Sequence, residues 1–337
     1  MPAVHVVAAV DKFRSTASAA EVAAAVAAAV TARGGTCTEL PLADGGEGTL
    51  DALGGPNRTT IVTGPLGDPV PAAWRLARGM AVIEMARASG LALVGGAEGN
   101  DPIAANTSGV GELITAALDA GATRIVVGVG GSATTDGGLG AVRSILAPHR
   151  LRGVELIVAC DVHTLFADAA PVFAPQKGAT AAQVKLLRRR LERLVQVYQE
   201  TYGVDVSALD AAGAAGGLAG GLAALGAQLV SGFDLVADEL GLEEQIAAAD
   251  LVVTGEGYLD LQSFEGKVVG GVAALAARYR VPVVAVVGDA FDEAVAAHAE
   301  LDVRSLVARF GDDRAYAETT ACITELVVEV LTRISAG

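Results

Sequence analysis

Val126-Val127-Gly128-Val129-Gly130-Gly131-Ser132-Ala133-Thr134-Thr135-Asp136-Gly137-Gly138 runs from an apolar stretch straight into glycines, hydroxyls and one carboxylate. A β-branched run closed by glycines reads as a buried strand handing over to a loop, the repeating unit of an α/β fold. Bare N–H groups in that loop suit a polyanion, and the Ser132 and Thr134 hydroxyls add contacts, so it reads as a phosphate cradle. The competing reading is a set of tight turns that let helices pack on a sheet.

Two more segments share this character, Ala43-Asp44-Gly45-Gly46-Glu47-Gly48-Thr49 and Thr254-Gly255-Glu256-Gly257-Tyr258-Leu259-Asp260. Amides bind phosphate oxygens and carboxylates hold magnesium, so three such loops converging would suit a metal nucleotide. Gly128-x-Gly130-x-x-Ala133 formally fits the dinucleotide fingerprint, yet Asp136 and two glycines follow where a crossover helix should be running. That counts against a nicotinamide-dependent dehydrogenase. No G-x-x-x-x-G-K-[ST] occurs, which disfavours a Walker-type NTPase.

Outward from these loops the pattern alternates. Residues 4–10 read as a buried strand, and Ser18 with Glu21 forms a capping box for a helix to about Arg33. Residues 36–42 then make a second strand that delivers the Asp44 loop. Between Thr59 and Glu84 the segments shorten and alternate around Gly64-Pro65-Leu66-Gly67-Asp68-Pro69, predicting antiparallel or mixed strands and a domain crossing near Val62. A helix is expected over 108–120, strands over 124–129 and 155–160, and the longest helix over 180–202, with an apolar stripe at Val184, Leu187, Leu191, Leu194 and Val197. Residues 211–226, almost wholly Gly, Ala and Leu, read as a tightly packed helix opening on a glycine turn, since a disordered tract would be more polar. Strand and helix alternation returns from Leu251 to Ile334, and these strands are expected to join the N-terminal sheet. The fold class is therefore α/β with two domains. A Rossmann-like parallel-sheet domain takes residues 1–62 and 240–337, and an inserted α/β domain with a mixed sheet takes 63–239.

The length of 337 residues gives either two domains or one large α/β unit an ample core. Lys plus Arg number 24 against 39 Asp plus Glu, and the net charge of -15 repels nucleic acid and anionic membrane. An anionic ligand must then be caught locally, by loop amides and single cations. Cys37, Cys160 and Cys322 are an odd, scattered set without metal-ligand spacing, which argues against a disulfide framework or zinc site and suits a reducing cytoplasm. Residues 1–10 meet Asp11, Lys12 and Arg14 too soon for a signal peptide, and no uncharged apolar stretch of about 18 residues has the character of a span. The expectation is a soluble, cytoplasmic protein without nucleic-acid or membrane partners, and a homodimer is left open.

Asp161 ends the apolar strand Ala159-Cys160 where open α/β sheets place ligand-binding side chains; a turn cap is its alternative. Lys177, in a turn just before a helix, suits a phosphate, and a solvated surface lysine is the rival reading. Lys12 and Arg14 follow the first strand, and either would also serve as partner to a surface acid. His5, His149, His163 and His298 lack metal-ligand spacing and are assigned no chemistry.

These residues carry a resemblance. Asp11 to Ala19, Pro41 to Thr49, Asn106 to Gly111, the Gly130 loop, Ala159 to Val162, Pro175 to Ala179, Gly213 to Leu218 and Thr254 to Lys267 follow one another as in the type 1 glycerate kinases. That bacterial family, glycerate 2-kinases and 3-kinases, phosphorylates glycerate with ATP. The resemblance implies a two-domain enzyme with its active site between the domains, using ATP and Mg2+. It implies Asp161 as the base toward the glycerate hydroxyl, with Lys177 and Arg14 or Lys12 neutralising developing charge. On the substrate side it implies Asp44, Gly45, Glu47, Asn106, Ser108 and Asp260. On the nucleotide side it implies Gly130, Gly131, Ser132, Thr134, Asp136, Gly255 and Glu256, with the metal ligands unassigned.

The chain departs from the family pattern near the implied site. Arg14-Ser15 stands where Lys-Gly is usual, Tyr258 where Arg is usual and Thr135 where Asn is usual, and the segments after Val162 and between Gly140 and Glu155 are short. Tyrosine cannot replace a guanidinium as a fixed charged donor. A repurposed relative that binds a small acid or nucleotide without catalysis is therefore the second reading, and an NAD-dependent dehydrogenase the third.

Overall fold

Alternation of apolar strands with capped helices produces two sheets in the computed structural model, which describes residues 4–334. Of the apolar N-terminal stretch, residues 1–3 lie outside the described residues. The strands are β1 (His5–Val10), β2 (Thr36–Pro41), β3 (Arg58–Thr63), β4 (Pro69–Ala77), β5 (Met80–Glu84), β6 (Arg124–Gly128), β7 (Glu155–Cys160), β8 (Gln228–Ser231), β9 (Leu251–Leu259), β10 (Val283–Ala290) and β11 (Asp302–Ser305). Chain contacts separate two compact units, Met1–Asp44 with Phe233–Gly337, and Gly45–Gly232. The α/β class with one parallel and one mixed sheet agrees with the sequence reading.

The unit built from both chain ends carries a five-stranded parallel sheet in the order β11-β10-β9-β1-β2. The helix Ala19–Ala32 opens on the expected capping box, Ser18 and Glu21 satisfying each other's backbone N–H groups. Its Val22, Val26 and Val30 pack with Ile323, Leu326 and Val327 of the helix Thr319–Ile334 over Val6, Ala8 and Val253 of the sheet. Val269, from the helix Val268–Tyr279, gathers with Leu259, Ala285 and Val287 in a second cluster. Burial of this kind stabilises by roughly 25 cal/mol per Å² of apolar surface, and it fixes where the strand ends lie.

The second unit has the order β3-β4-β5-β6-β7-β8, antiparallel over its first three strands and parallel from β5 to β8. Leu113, Ile114 and Ala117 of the helix Ser108–Asp119 pack with Ile83, Ile125 and Val127 of the sheet. The helix Ala181–Tyr202 starts at Thr180, whose hydroxyl accepts the Gln183 N–H, and buries Leu187, Leu191, Leu194 and Tyr198. Its stripe thus ends on Tyr198, one residue beyond the expected Val197, because the Tyr198 hydroxyl reaches the Gly137 carbonyl at 2.9 Å. In the helix Ala214–Ala224 the opening residues Ala215, Gly216 and Gly217 take left-handed angles, which is the glycine turn expected there. Among the described residues no helix is long and apolar enough to cross a membrane.

Two expectations are corrected. Strand β3 pairs antiparallel with β4, Arg58 opposite Trp74, so residues 58–63 sit in the inserted unit and the chain crosses at Asp44–Gly45 and Gly232–Phe233, not at 62 and 239. The segment Thr254–Asp260 is no loop: Gly255, Glu256 and Tyr258 lie within β9, paired to β10.

Candidate active site

In the inserted unit the carboxyl ends of β5, β6 and β7 stand side by side, Glu84 opposite Gly128 and Gly128 opposite Ala159. Open parallel sheets bind ligands outside such ends. The Asp44–Thr49 loop lies here. A Cβ on Gly128 would fall 2.7 Å from the Gly45 carbonyl oxygen, one on Gly130 2.9 Å from Gly46 Cα, and one on Gly45 3.1 Å from the Ala159 carbonyl. Backbone meets backbone, so only glycine fits. Two of the three glycine segments are therefore brought together, with Glu47 exposed on one of them and Asp161 just past β7. The tight-turn reading also holds, since the same glycines permit the packing.

Glu84 was not read from the sequence, although it alone is charged in Met80-Ala81-Val82-Ile83-Glu84. That lone charge closing an apolar strand was the available signal. Its Oε1 accepts the N–H groups of Gly48 and Leu50 at 2.9 Å each, and Oε2 meets Arg87 Nε at 3.1 Å.

The Gly130 loop is fixed by two charged groups. Asp136 Oδ2 accepts the Thr107 N–H at 3.0 Å, its hydroxyl at 2.9 Å and the Gly140 N–H at 3.0 Å, while Oδ1 accepts the Gly138 N–H at 3.1 Å. A carboxylate so engaged ties the loop to the helix Ser108–Asp119, which gives Asp136 a framework part. Lys177 is 3 % exposed, which removes the solvated-lysine alternative. Its Nζ donates to Ser132 Oγ at 2.7 Å and to the Thr134 carbonyl at 2.6 Å, and burial, partly offset by Asp136, pushes the ammonium down to about 7. Asn100 adds a staple from its Nδ2 to the carbonyls of Ala133 and Lys177. Thr134 Oγ1 and Thr135 Oγ1 are buried without a hydrogen-bond partner, and Gly131 is the exposed member of the turn, at φ +63. What the loop leaves exposed is thus mainly backbone. Asn106 caps the following helix, its Oδ1 accepting the Ser108 N–H at 3.0 Å.

The other unit gathers acids at the carboxyl ends of β1 and β9. Burial raises Asp11 to about 6, with Asp44 adding and Lys12 and Arg14 opposing. Burial likewise raises Glu256 to about 7, against a hydrogen bond from Ser263 and the charge of Lys267, with Asp11 and Asp260 adding repulsion. Asp260 caps the turn Leu261–Phe264 through the Ser263 N–H at 3.0 Å. Gly255 is a close-approach glycine, since a Cβ there would fall 2.0 Å from the Val286 carbonyl. Lys12 Nζ lies 3.8 Å from Asp11, and Arg14 is exposed. Ser15, standing where the resemblance expects glycine, is held at φ +66, a left-handed conformation that costs a non-glycine residue roughly 1 kcal/mol. Asp44, Arg14, Gly255, Glu256 and Asp260 thus belong to this unit, and the remaining expected site residues to the other.

A sequence model of the glycerate kinase family matches residues 6–147 and 145–336. The chain belongs to the glycerate kinase family. It is 40% identical over 333 residues to a glycerate 2-kinase of Escherichia coli (strain K12), covering 87% of each chain. It is 39% identical over 318 residues to a glycerate kinase of Bacillus subtilis (strain 168), covering 82% of this chain and 83% of the relative. A crystal structure from Salmonella typhimurium LT2, assigned as glycerate kinase 2, superposes with a TM-score of 0.83 at 36% identity over 99% of both chains. These relatives do not favour the dehydrogenase or the non-catalytic reading. Within the glycerate kinase fold the late start of the helix Leu139–Ser144 after β6 also differs from a dinucleotide-binding crossover, where the helix follows the glycines directly.

Proposed function

We propose that this chain is an ATP-dependent kinase that transfers a phosphoryl group to a hydroxyl of glycerate. The observation that supports it best is the packing of the Gly45–Gly48 backbone on Gly128 and Gly130, with Asp161 following the adjacent strand β7. Phosphoryl transfer needs positioning and charge stabilisation more than covalent chemistry from the protein. Asp161 accepts the hydroxyl proton as that oxygen bonds to the γ-phosphorus and the bridging oxygen leaves with ADP. The Gly130–Gly131 backbone offers N–H groups to phosphate, and Lys177 acts on it through Ser132 and Thr134. Glu47 and the Gly45 and Gly46 backbone face the acceptor.

Magnesium takes one or two carboxylates with phosphate oxygens and water. Among the described residues no group of three or more His, Cys, Asp or Glu is gathered for a metal. The pair Asp11 and Glu256 fits a nucleotide-borne ion: Glu256 Oε1 is buried without a hydrogen-bond partner, and like-charge repulsion adds to both acids' raised proton affinity. Bound there, the ion would neutralise phosphate charge.

A coupled assay of ADP release with D-glycerate and magnesium ATP tests the reading. Turnover should appear in the wild type and fall about 10²-fold or more in Asp161→Asn, the usual worth of a general base. A wild type no faster than that variant counts against the assignment.

A further inference from the structure

Glu84 is 2 % exposed at the end of an apolar strand. A carboxylate withdrawn from water costs several kcal/mol unless hydrogen bonds replace its hydration. Here the replacements come from two places: Arg87 Nε reaches Oε2 at 3.1 Å, and the N–H groups of one loop reach Oε1. Gly48, which opens the turn Thr49–Ala52, sits at φ +99 and has no side chain to accept the N–H groups that begin the turn. Glu84 supplies the acceptor from 36 residues away, taking the Gly48 and Leu50 N–H groups on a single oxygen. Its own strand position is fixed, since it pairs with Gly128 across β5 and β6. The loop is therefore bonded to Glu84 at its carboxyl-terminal end and pressed on Gly128 and Gly130 along its length.

We propose that Glu84 is a positioning residue for the acceptor substrate. It holds the Asp44–Thr49 loop in the conformation that presents Glu47 and the Gly45 and Gly46 backbone to glycerate, and it touches no substrate itself. This rests on the assignment of that loop to the acceptor made above.

Hydrogen exchange on the wild type should show the Gly48 and Leu50 amides protected about 10³-fold or more over their intrinsic rates. Rapid exchange at both overturns the proposal. Kinetics supply a readout that a merely structural role would not move. Glu84→Gln keeps an oxygen for both amides, and its KM for glycerate should stay within about threefold of wild type. Glu84→Met keeps the shape without an acceptor, and it should raise the KM for glycerate about tenfold or more while the KM for ATP moves less than about twofold. An unchanged glycerate KM in Glu84→Met, or an equal rise in both KM values, overturns the proposal. If Glu84→Met does not fold, the wild-type exchange pattern and Glu84→Gln decide it. A wild type that cannot turn over glycerate removes the functional reading, while the exchange result still judges the anchor.

Discussion

Asp136 accepts four hydrogen bonds within its own loop and from Thr107, so its carboxylate works as an internal strut. Asparagine keeps the shape but turns one acceptor into a donor that faces an N–H, leaving at least one buried donor unsatisfied. Asp136→Asn should lose about 1–3 kcal/mol of stability by urea denaturation, the cost of such an orphan. Wild-type stability in that variant would deny the strut. Glycine, hydroxyl and carboxylate in one loop look alike in sequence whether they face a ligand or one another. Lys177 shows the same limit. Its place in a turn before a helix was legible, but its burial depends on Ser132, distant in sequence, and on Asn100 closing over it. Glu84 was missed because the groups it serves, Gly48 and Leu50, are 36 and 34 residues away.

At the scale of elements, the capped helices and apolar strands were legible because their signals are local. Ser18 with Glu21, and Thr180 ahead of the helix Ala181–Tyr202, state their own helix starts. Two features were not local. Thr254–Leu259 has the composition of a loop yet extends β9, because β1 and β10 flank it and the glycines admit the Val286 and Arg14 backbones at close range. Residues 58–63 read equally well on either side of a domain crossing until their antiparallel pairing with β4 places them. Glycine at 128 has a purpose that periodicity cannot show, the close passage of Gly45. Gly128→Ala would set a methyl 2.7 Å from a carbonyl oxygen that belongs to backbone and cannot swing aside. The variant should lose about 1–3 kcal/mol by denaturant titration, as overpacking does. It should also weaken glycerate binding, and an unchanged midpoint would show that the loops are not in contact in solution.

At the scale of the whole molecule, each unit has its own sheet and its own buried clusters, and each buries ionisable groups whose protonation differs between folded and unfolded chain. The two units should answer pH in opposite directions. In the unit of the chain ends Glu256 is raised from 4.5 to about 7 and Asp11 from 3.8 to about 6, so over these windows the folded state binds more protons than the unfolded. Stability there falls as pH rises. In the inserted unit Lys177 is lowered from 10.5 to about 7, so between those values the unfolded state binds more protons and stability rises with pH. Trp74, the sole tryptophan and 2 % exposed, reports unfolding of the inserted unit by fluorescence, and hydrogen exchange along β1 reports the other. Between pH 5 and 7 the β1 amides of the wild type should lose protection, corrected for intrinsic rates, and Glu256→Gln should flatten that slope. Between pH 7 and 9 the Trp74 transition should move to higher urea, and Lys177→Met should remove the movement. Slopes of the same sign in both units, or slopes that survive these substitutions, would assign the linkage to other groups.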